Sequence, residues 1–152
     1  MIELHFNHPA SDDLLRFAVV AARSDGKWVL CKHKGRTTYE CPGGHREEGE
    51  TIEETARREL YEETGALQYD LMPICTYSIR GFDGVVEYEN AIYGMLFYAE
   101  IHAFGALPDM EIESVLQMEI QSVSSFEKLP VEWTYPEIQP RLLEKVISLL
   151  RL

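Results

Sequence analysis

The chain has 152 residues, of which 45% are hydrophobic, and its formal net charge at pH 7 is −12. That length suits one domain spanning residues 1–152 with its own core. The acidic balance argues against binding to a nucleic-acid polymer or an anionic membrane, because both need a basic face. No stretch approaches the roughly 18 apolar residues of a membrane span. The three cysteines form no C-x-x-C, which argues against structural zinc and favours a cytoplasmic protein.

The apolar periodicity predicts several strands. Residues 2–7 alternate apolar and polar side chains, as a short edge strand does. A turn at residues 24–27 joins two strands into a hairpin. A polar loop leads into the Pro-Gly-Gly of residues 42–44, and residues 103–109 form another loop. The predicted strands are residues 2–7, 16–23, 28–33, 71–80, 85–102 and 116–126.

Two segments carry the signals of helices. Thr51 and Glu54 have the spacing of a capping box, and Gly65 stands where a helix C-cap usually falls, so residues 52–64 are predicted to be helical. Residues 136–152 repeat apolar side chains at helical spacing, with a proline near the first turn, where proline is tolerated. The order of elements predicts an α/β fold with a mixed sheet flanked by helices.

The first predicted helix carries Glu59, Glu62 and Glu63 within one turn. At about 100° per residue, these carboxylates overlap and border the apolar stripe of the helix. Like charges at this spacing repel, and the C-terminal end of a helix disfavours anions. The neighbouring Arg58 only borders the cluster, beside Glu62. A divalent ion would offset the repulsion. The alternative is a solvated acidic face, and the upstream glycines and Glu50 argue against it.

Residues 44–66 resemble the box of the Nudix hydrolase family, G-x5-E-x7-R-E-U-x-E-E-x-G-U, in which U is a bulky aliphatic residue. The last U position holds Ala66, which is smaller than usual and affects only packing. The resemblance extends to residues 39–44 and 126–130, and the layout is similar to the MutT/YtkD branch. The matching residues are Gly44, Glu50, Arg58, Glu59, Leu60, Glu62, Glu63 and Gly65.

This resemblance implies an α/β/α sandwich around a mixed sheet, and hydrolysis of a nucleoside diphosphate linked to another group. Mg²⁺, or alternatively Mn²⁺, would connect the anionic substrate to Glu59, Glu62 and Glu63. The backbone carbonyl of Gly44 is a further expected ligand, since glycine lets the backbone approach an ion closely.

The resemblance also implies an ion pair between Glu50 and Arg58 that holds the loop against the helix. Arg58 is counted with the catalytic group for that reason. The residue that activates water varies within the family. The candidates are Glu59 and Glu62 in the box and, outside it, Glu119, which is favoured over Glu111 and Glu113.

Substrate-binding candidates lie outside the box. Lys32, Lys34 and Arg36 follow the second hairpin strand and are expected near the outer phosphates, the alternative being ordinary surface charges. Two aromatic residues near the last helix either stack on a base or pack in the core, with packing favoured. Two histidines near the site have no H-x-E or H-x3-H partner and are not expected to bind metal. These four residues are Trp133, Tyr135, His33 and His45.

The substrate itself is inferred by elimination. Residues 80–82 lack the proline of ADP-ribose-cleaving relatives and the tyrosine of diadenosine-polyphosphate relatives. A nucleoside triphosphate is therefore favoured, an oxidised purine such as 8-oxo-dGTP being one example, with a nucleoside monophosphate and pyrophosphate as products. Another nucleoside-diphosphate substrate, or a catalytically silent ligand-binding module, remains the alternative. The expected partner is a small nucleotide, bound by a monomer or homodimer.

Overall fold

The computed structural model describes residues 1–7, 10–82, 86–119 and 132–152. The helices are α1 (Ile52–Thr64) and α2 (Gln139–Leu150), and a short 3₁₀ turn covers Asp12–Leu14. The strands are β1 (Ile2–Phe6), β2 (Leu15–Ser24), β3 (Lys27–His33), β4 (Gly43–His45), β5 (Ala66–Phe82), β6 (Glu87–Phe104) and β7 (Ile112–Met118).

These strands form one seven-stranded sheet with the order β1-β5-β6-β2-β3-β7, and β4 pairs with β2 beside this path. Strands β2 and β6 are parallel, whereas the pairs β1–β5, β5–β6, β2–β3 and β3–β7 are antiparallel, so the sheet is mixed as predicted. The β2–β3 hairpin turns through Asp25 and Gly26, which both have positive φ, at 51° and 77°. Such a turn matches the right-handed twist of the two strands.

Each face of the sheet is covered by a helix, because neighbouring residues of a strand point to opposite faces. Val20 and Val29 belong to the cluster that packs against α1. Trp28 and Leu30 face the other way and belong to the cluster that contains the buried residues of α2. The sheet is therefore sandwiched between α1 and α2.

The capping signals at α1 are confirmed. The Thr51 side chain accepts a hydrogen bond from the Glu54 backbone N–H, the Glu54 carboxylate accepts one from the Thr51 N–H, and Gly65 caps the other end in the left-handed conformation. The second predicted helix is also confirmed, with Pro140 in its first turn.

Strand bounds differ from the predicted ones where pairing extends them. Strand β5 begins at Ala66 and β6 ends at Phe104 because these residues pair with each other. Strand β7 begins at Ile112, opposite His33, and not at residue 116 as predicted. The two consecutive polar residues Glu113 and Ser114 break the apolar pattern and hide this start in the sequence. The rest of that predicted strand from residue 120, and the segment 126–130, lie outside the described residues.

Within the described part of the chain, no helix is long and apolar enough to cross a membrane.

Candidate active site

Strand β4 brings the first glycines of the box between β2 and α1. Gly43 and Gly44 pair with Val19 and Ala18 of β2. A side chain at Gly43 would collide with the backbone of Ala18, and one at Gly44 would collide with the carboxylate of Glu59. Glycine is therefore required for β4 to lie this close to the acidic side of α1.

The expected ion pair between Glu50 and Arg58 is present. Arg58 Nε lies 2.7 Å from Glu50 Oε2, and Arg58 Nη2 donates to Glu50 Oε1 at 3.1 Å. The Glu47 N–H and the Thr55 hydroxyl donate to the same carboxylate. Arg58 is the main reason that the pKa of Glu50 falls to about 2. This network fixes the loop before α1 against the helix.

Arg58 also reaches into the carboxylate cluster, which corrects the expectation that it only borders the cluster. Its Nη1 donates to Glu59 at 2.8 Å and to Glu62 at 3.2 Å. Its Nη2 donates to the backbone carbonyl of His45, next to Gly44. One guanidinium therefore joins the loop, β4 and the acidic side of α1.

Two carboxylates of the cluster lie close together, one buried and one partly buried. Burial and the nearby charge of Glu63 raise the pKa of Glu59 to about 7. Burial also raises the pKa of Glu63, whose side chain is only 4% exposed. The Gly43 N–H donates to Glu63 at 2.7 Å. Glu62, at 25% exposure, lies nearer the solvent. Hard divalent cations prefer such oxygen donors, so this set fits a divalent ion.

His33 occupies a position that the sequence did not indicate. Its Nε2 contacts the carboxylate of Glu40 and lies 3.0 Å from Glu63 Oε2, while its Nδ1 lies 3.9 Å from Glu111. Both Nε2 contacts are short enough for ion pairs but lack the angle of a hydrogen bond. Contact with Glu40, and then with Glu63, raises the pKa of His33 to about 10. No local motif reveals these partners, because each comes from a different element.

A cavity of about 430 Å³ lies at this site, and its lining has a polar side and an aromatic side. One wall is polar and includes His33, Arg36, Glu40, Gly43, Gly44, Glu47, Glu59, Glu63 and Glu111. The other is largely aromatic and includes Phe17, Tyr77, Tyr88 and Tyr135. The ring of Phe17 lies 5.6 Å from that of Tyr77 and 6.0 Å from that of His45. A side chain at Gly94 would collide with both Phe17 and Tyr77, so glycine makes room for this aromatic wall.

The structure does not bring Glu119 to the cluster. Glu119 follows Met118, which pairs with Trp28, whereas Ile112 pairs with His33 at the other end of the ladder. At about 3.3 Å per residue, these two ends of β7 lie about 20 Å apart. Its rival Glu111 lines the cavity instead.

Of the three candidate phosphate-binding cations, Arg36 lines the cavity. Lys32 pairs with Glu113, and Lys34 pairs with Asp109 at 2.8 Å. Trp133 and Tyr135 are both partly buried and pack against the core cluster that contains α2. Tyr135 also lines the cavity.

Comparison with known proteins agrees with this geometry. A family model described as "NUDIX domain" matches residues 13–144, which is most of the chain. The chain belongs to the NUDIX domain family. The recognition made from residues 44–66 is thereby confirmed.

Three similar proteins illustrate this membership. "Putative 8-oxo-dGTP diphosphatase YtkD" of Bacillus subtilis (strain 168) is 38% identical over 85 residues, which are 56% of this chain and 53% of that protein. This chain thus matches about half the length of that relative. The crystal structure of the Bacillus subtilis pyrophosphohydrolase BsRppH covers 97% of this chain and 90% of its own, with a TM-score of 0.73 and 26% identity.

The NUDIX domain of Shewanella oneidensis NrtR, crystallised with ADP ribose, covers 90% of this chain and 88% of its own. Its TM-score is 0.66 and its identity is 16%, so this likeness concerns the fold alone. The α/β class with a central mixed sheet is confirmed by the solved structures.

Proposed function

We propose that this chain hydrolyses a pyrophosphate bond in a nucleoside di- or triphosphate derivative with the help of a divalent ion. The observation that carries the proposal is the two-walled cavity. Its polar wall contains Glu59 and Glu63, and its aromatic wall begins at Phe17. A nucleotide has the matching halves, an anionic polyphosphate and a planar base.

Glu59, Glu62 and Glu63, with the backbone carbonyl of Gly44, are the proposed ligands of the ion. Mg²⁺ is favoured over Mn²⁺ by the all-oxygen donor set, although both suit it. A bound divalent ion neutralises phosphate charge and lowers the pKa of a coordinated water. The raised pKa values of Glu59 and Glu63 support this role, because a nearby cation would favour their charged forms.

Glu50 and Arg58 act as positioning residues in this proposal. Arg58 holds Glu59 and Glu62 from one side while Glu50 anchors its guanidinium. The carboxylates are therefore held in place before the substrate arrives, which reduces the reorganisation needed during reaction.

The base that activates water is proposed to be either a box glutamate, Glu59 or Glu62, or the cavity residue Glu111. Glu111 replaces Glu119 as the candidate outside the box because it lines the cavity and lies beside His33. A base must come within hydrogen-bond reach of the water from which it takes a proton. Glu111 has an exposed carboxylate at the cavity rim, which suits that requirement.

The remaining walls suit the rest of a nucleotide. Arg36, half-exposed at the cavity, is the proposed contact for the outer phosphates. The aromatic wall at Phe17 and Tyr77 is proposed to hold the base, since planar bases stack on aromatic rings.

A nucleoside triphosphate is the favoured substrate, and 8-oxo-dGTP is the specific example. The name of the Bacillus subtilis relative YtkD refers to that compound. The products would be a nucleoside monophosphate and pyrophosphate. Other nucleoside-diphosphate derivatives, such as ADP-ribose or a dinucleoside polyphosphate, form the alternative substrate class.

A silent ligand-binding module is the second candidate function. The NrtR domain was solved with bound ADP ribose, which makes ligand binding a relevant comparison for this fold. Retention of Glu59, Glu62 and Glu63 favours catalysis, because all three proposed ligand side chains are present in this chain.

The proposal is tested with chelator-treated protein and a panel of 8-oxo-dGTP, dGTP, ADP-ribose and a dinucleoside polyphosphate. We expect turnover only after Mg²⁺ or Mn²⁺ is restored, with pyrophosphate released from the triphosphates. Nucleotide binding without turnover of any compound would favour the silent module.

The Glu62→Gln substitution tests the ion ligands directly. We expect turnover to fall by roughly 10² or more with the fold retained, because the charge that holds the ion is removed and the side chain is partly exposed. Glu53→Gln is the matched control: Glu53 lies on the same helix, is 57% exposed and pairs only weakly with Arg57 at 3.7 Å. Equal activity of Glu62→Gln and the wild type would overturn the assignment.

A further inference from the structure

A second set of metal-binding groups lies beneath the acidic cluster. One ligand atom from each of Cys31, His33 and Glu63 lies within 4.8 Å of the other two. Cys31 and His33 stand two residues apart on β3 and so point to the same face of the sheet. Glu63 reaches that face from α1.

The carboxylate of Glu40 lies beside this set. Its backbone exchanges two hydrogen bonds of 2.9 Å with Cys31, so the two residues stand opposite each other and share a face. Its carboxylate contacts His33 Nε2 directly. A thiol, an imidazole and one carboxylate therefore surround one point, and the Glu40 carboxylate lies against the imidazole.

Burial makes this set unusual. Cys31 is fully buried, and Glu40 and Glu63 are 6% and 3% exposed. The Nε2 atom of His33 is buried and makes no hydrogen bond of proper geometry. Two buried carboxylates face one imidazole here, and a bound dication would replace the protons that the imidazole and the thiol carry.

The chemistry of the donors differs from that of the box. Thiolate and imidazole favour Zn²⁺ and similar ions, whereas Mg²⁺ prefers oxygen ligands only. Three donors of the kinds Cys, His and carboxylate suit a tetrahedral ion, with a water or the neighbouring Glu40 carboxylate as the fourth ligand. Access is available because His33, Glu40 and Glu63 all line the cavity.

We propose that Cys31, His33 and Glu63, with Glu40 beside His33, form a binding site for a thiophilic divalent ion such as Zn²⁺. Glu63 would then belong to two sites, so an ion held here withdraws it from the magnesium site; this consequence rests on the proposed function. Zn²⁺ is therefore an inhibitor of the magnesium-dependent reaction, acting through Glu63.

Cobalt substitution tests the site without any reference to activity. The full chain, chelator-treated and kept reduced with a phosphine, is titrated with Co²⁺ while the thiolate-to-cobalt charge-transfer absorption is recorded. We expect one equivalent of Co²⁺ to produce the band and an equivalent of Zn²⁺ to remove it. Absence of the band in the wild type would overturn the proposal.

Cysteine variants identify the thiol. Cys31→Ser is expected to lose the band and to bind Co²⁺ at least about tenfold more weakly, as expected for loss of a metal ligand. Cys31→Ala serves as a second variant if serine disturbs the core, and circular dichroism checks the fold of both. Cys75→Ser and Cys41→Ser are the controls and should retain the band. A band that survives in a folded Cys31 variant, or vanishes only in Cys41→Ser, contradicts the site.

Inhibition is measured separately. Zn²⁺ at micromolar concentration should inhibit magnesium-dependent turnover of the wild type, and Cys31→Ser should need at least about tenfold more Zn²⁺. Equal inhibition of both proteins would overturn the shared role of Glu63. A cobalt band in a protein without turnover would support the site and overturn the proposed function. Turnover without a band would support the proposed function and overturn the site.

Discussion

Glu50 and Glu59 have the same side chain, yet the fold moves their pKa values in opposite directions. Glu50 accepts two hydrogen bonds from Arg58, and its pKa falls to about 2. Glu59 is partly buried near Glu63, and its pKa rises to about 7. Arg58 therefore stabilises the charged form of the first carboxylate, whereas the charged form of the second is costly unless a cation lies nearby. Arg58 contacts both carboxylates.

The Glu50 contact predicts a pH dependence of stability. A depressed pKa means that Glu50 stabilises the folded state above about pH 4.5, and that this contribution is lost as the pH falls towards about 2. Glu50→Gln should lower the free energy of unfolding at pH 7 by about 1 kcal/mol, since solvent screens the pair. Urea denaturation should show that the difference in free energy of unfolding between the wild type and Glu50→Gln becomes smaller as the pH falls from 4.5 to 2. The exposed control Glu48→Gln should show neither effect.

The position of Glu111 predicts which glutamate outside the box affects turnover. Glu111→Gln should lower kcat by roughly 10² or more if it serves as the base. Glu119→Gln should leave kcat within about twofold, because Glu119 is exposed at the far end of β7. Steady-state kinetics of both variants checks this pair. A loss of kcat in Glu119→Gln but not in Glu111→Gln would return the role of the base to Glu119. If neither variant loses kcat, the base is one of the box glutamates.

The two ends and the buried face of helix α1 determine where its carboxylates lie. Its start is determined by Thr51 and Glu54, and its end by Gly65, whose N–H donates to the carbonyl of Tyr61. Between these caps, Ala56 and Leu60 are fully buried against the sheet. Because the caps limit the helix and the buried side chains orient it, Glu59 and Glu63 face β4 and the cavity.

The N-terminal cap predicts a stability effect that belongs to this element. Thr51→Ala removes the acceptor for the Glu54 N–H and should lower the free energy of unfolding by about 1 kcal/mol. The control is Thr37→Ala, at an exposed position before β4, which should change stability by less than about 0.5 kcal/mol. Chemical denaturation compares the two, and equal stability of Thr51→Ala and the wild type would rule out the capping contribution.

The molecule as a whole is a sheet held between α1 and α2, and residues of both helices line the cavity. Helix α2 contributes Gln139, whose side-chain carbonyl accepts a hydrogen bond of 2.7 Å from the Cys41 N–H. That contact ties the second helix to the segment that leads into the box. Both layers are therefore needed to enclose the site.

The packing of α2 predicts the largest loss of stability. Leu142 is fully buried in the cluster beneath α2, and Leu142→Ala should cost about 2–5 kcal/mol through lost burial and a cavity. Leu149→Ala, on the same helix but 52% exposed, should cost far less. Thermal unfolding of both variants measures the contrast. Similar melting temperatures would mean that α2 contributes little to the core.

Local chemistry in the sequence determined helix α1 and the recognition of the family. Thr51, Glu54 and Gly65 act within a few residues of their own positions, so their effect can be predicted without tertiary structure. The ion pair of Glu50 with Arg58 was also foreseen, because both belong to one continuous motif.

Tertiary structure decided the contacts made across separate elements. His33 meets Glu40 and Glu63 only because β3 lies beneath α1, and no spacing along the chain records that distance. Likewise, the register of β7 on β3 places Glu111 at the cavity and Glu119 away from it. Hydrogen bonds between strands distant in sequence determine that register, so the position of each glutamate follows from pairing and not from local sequence.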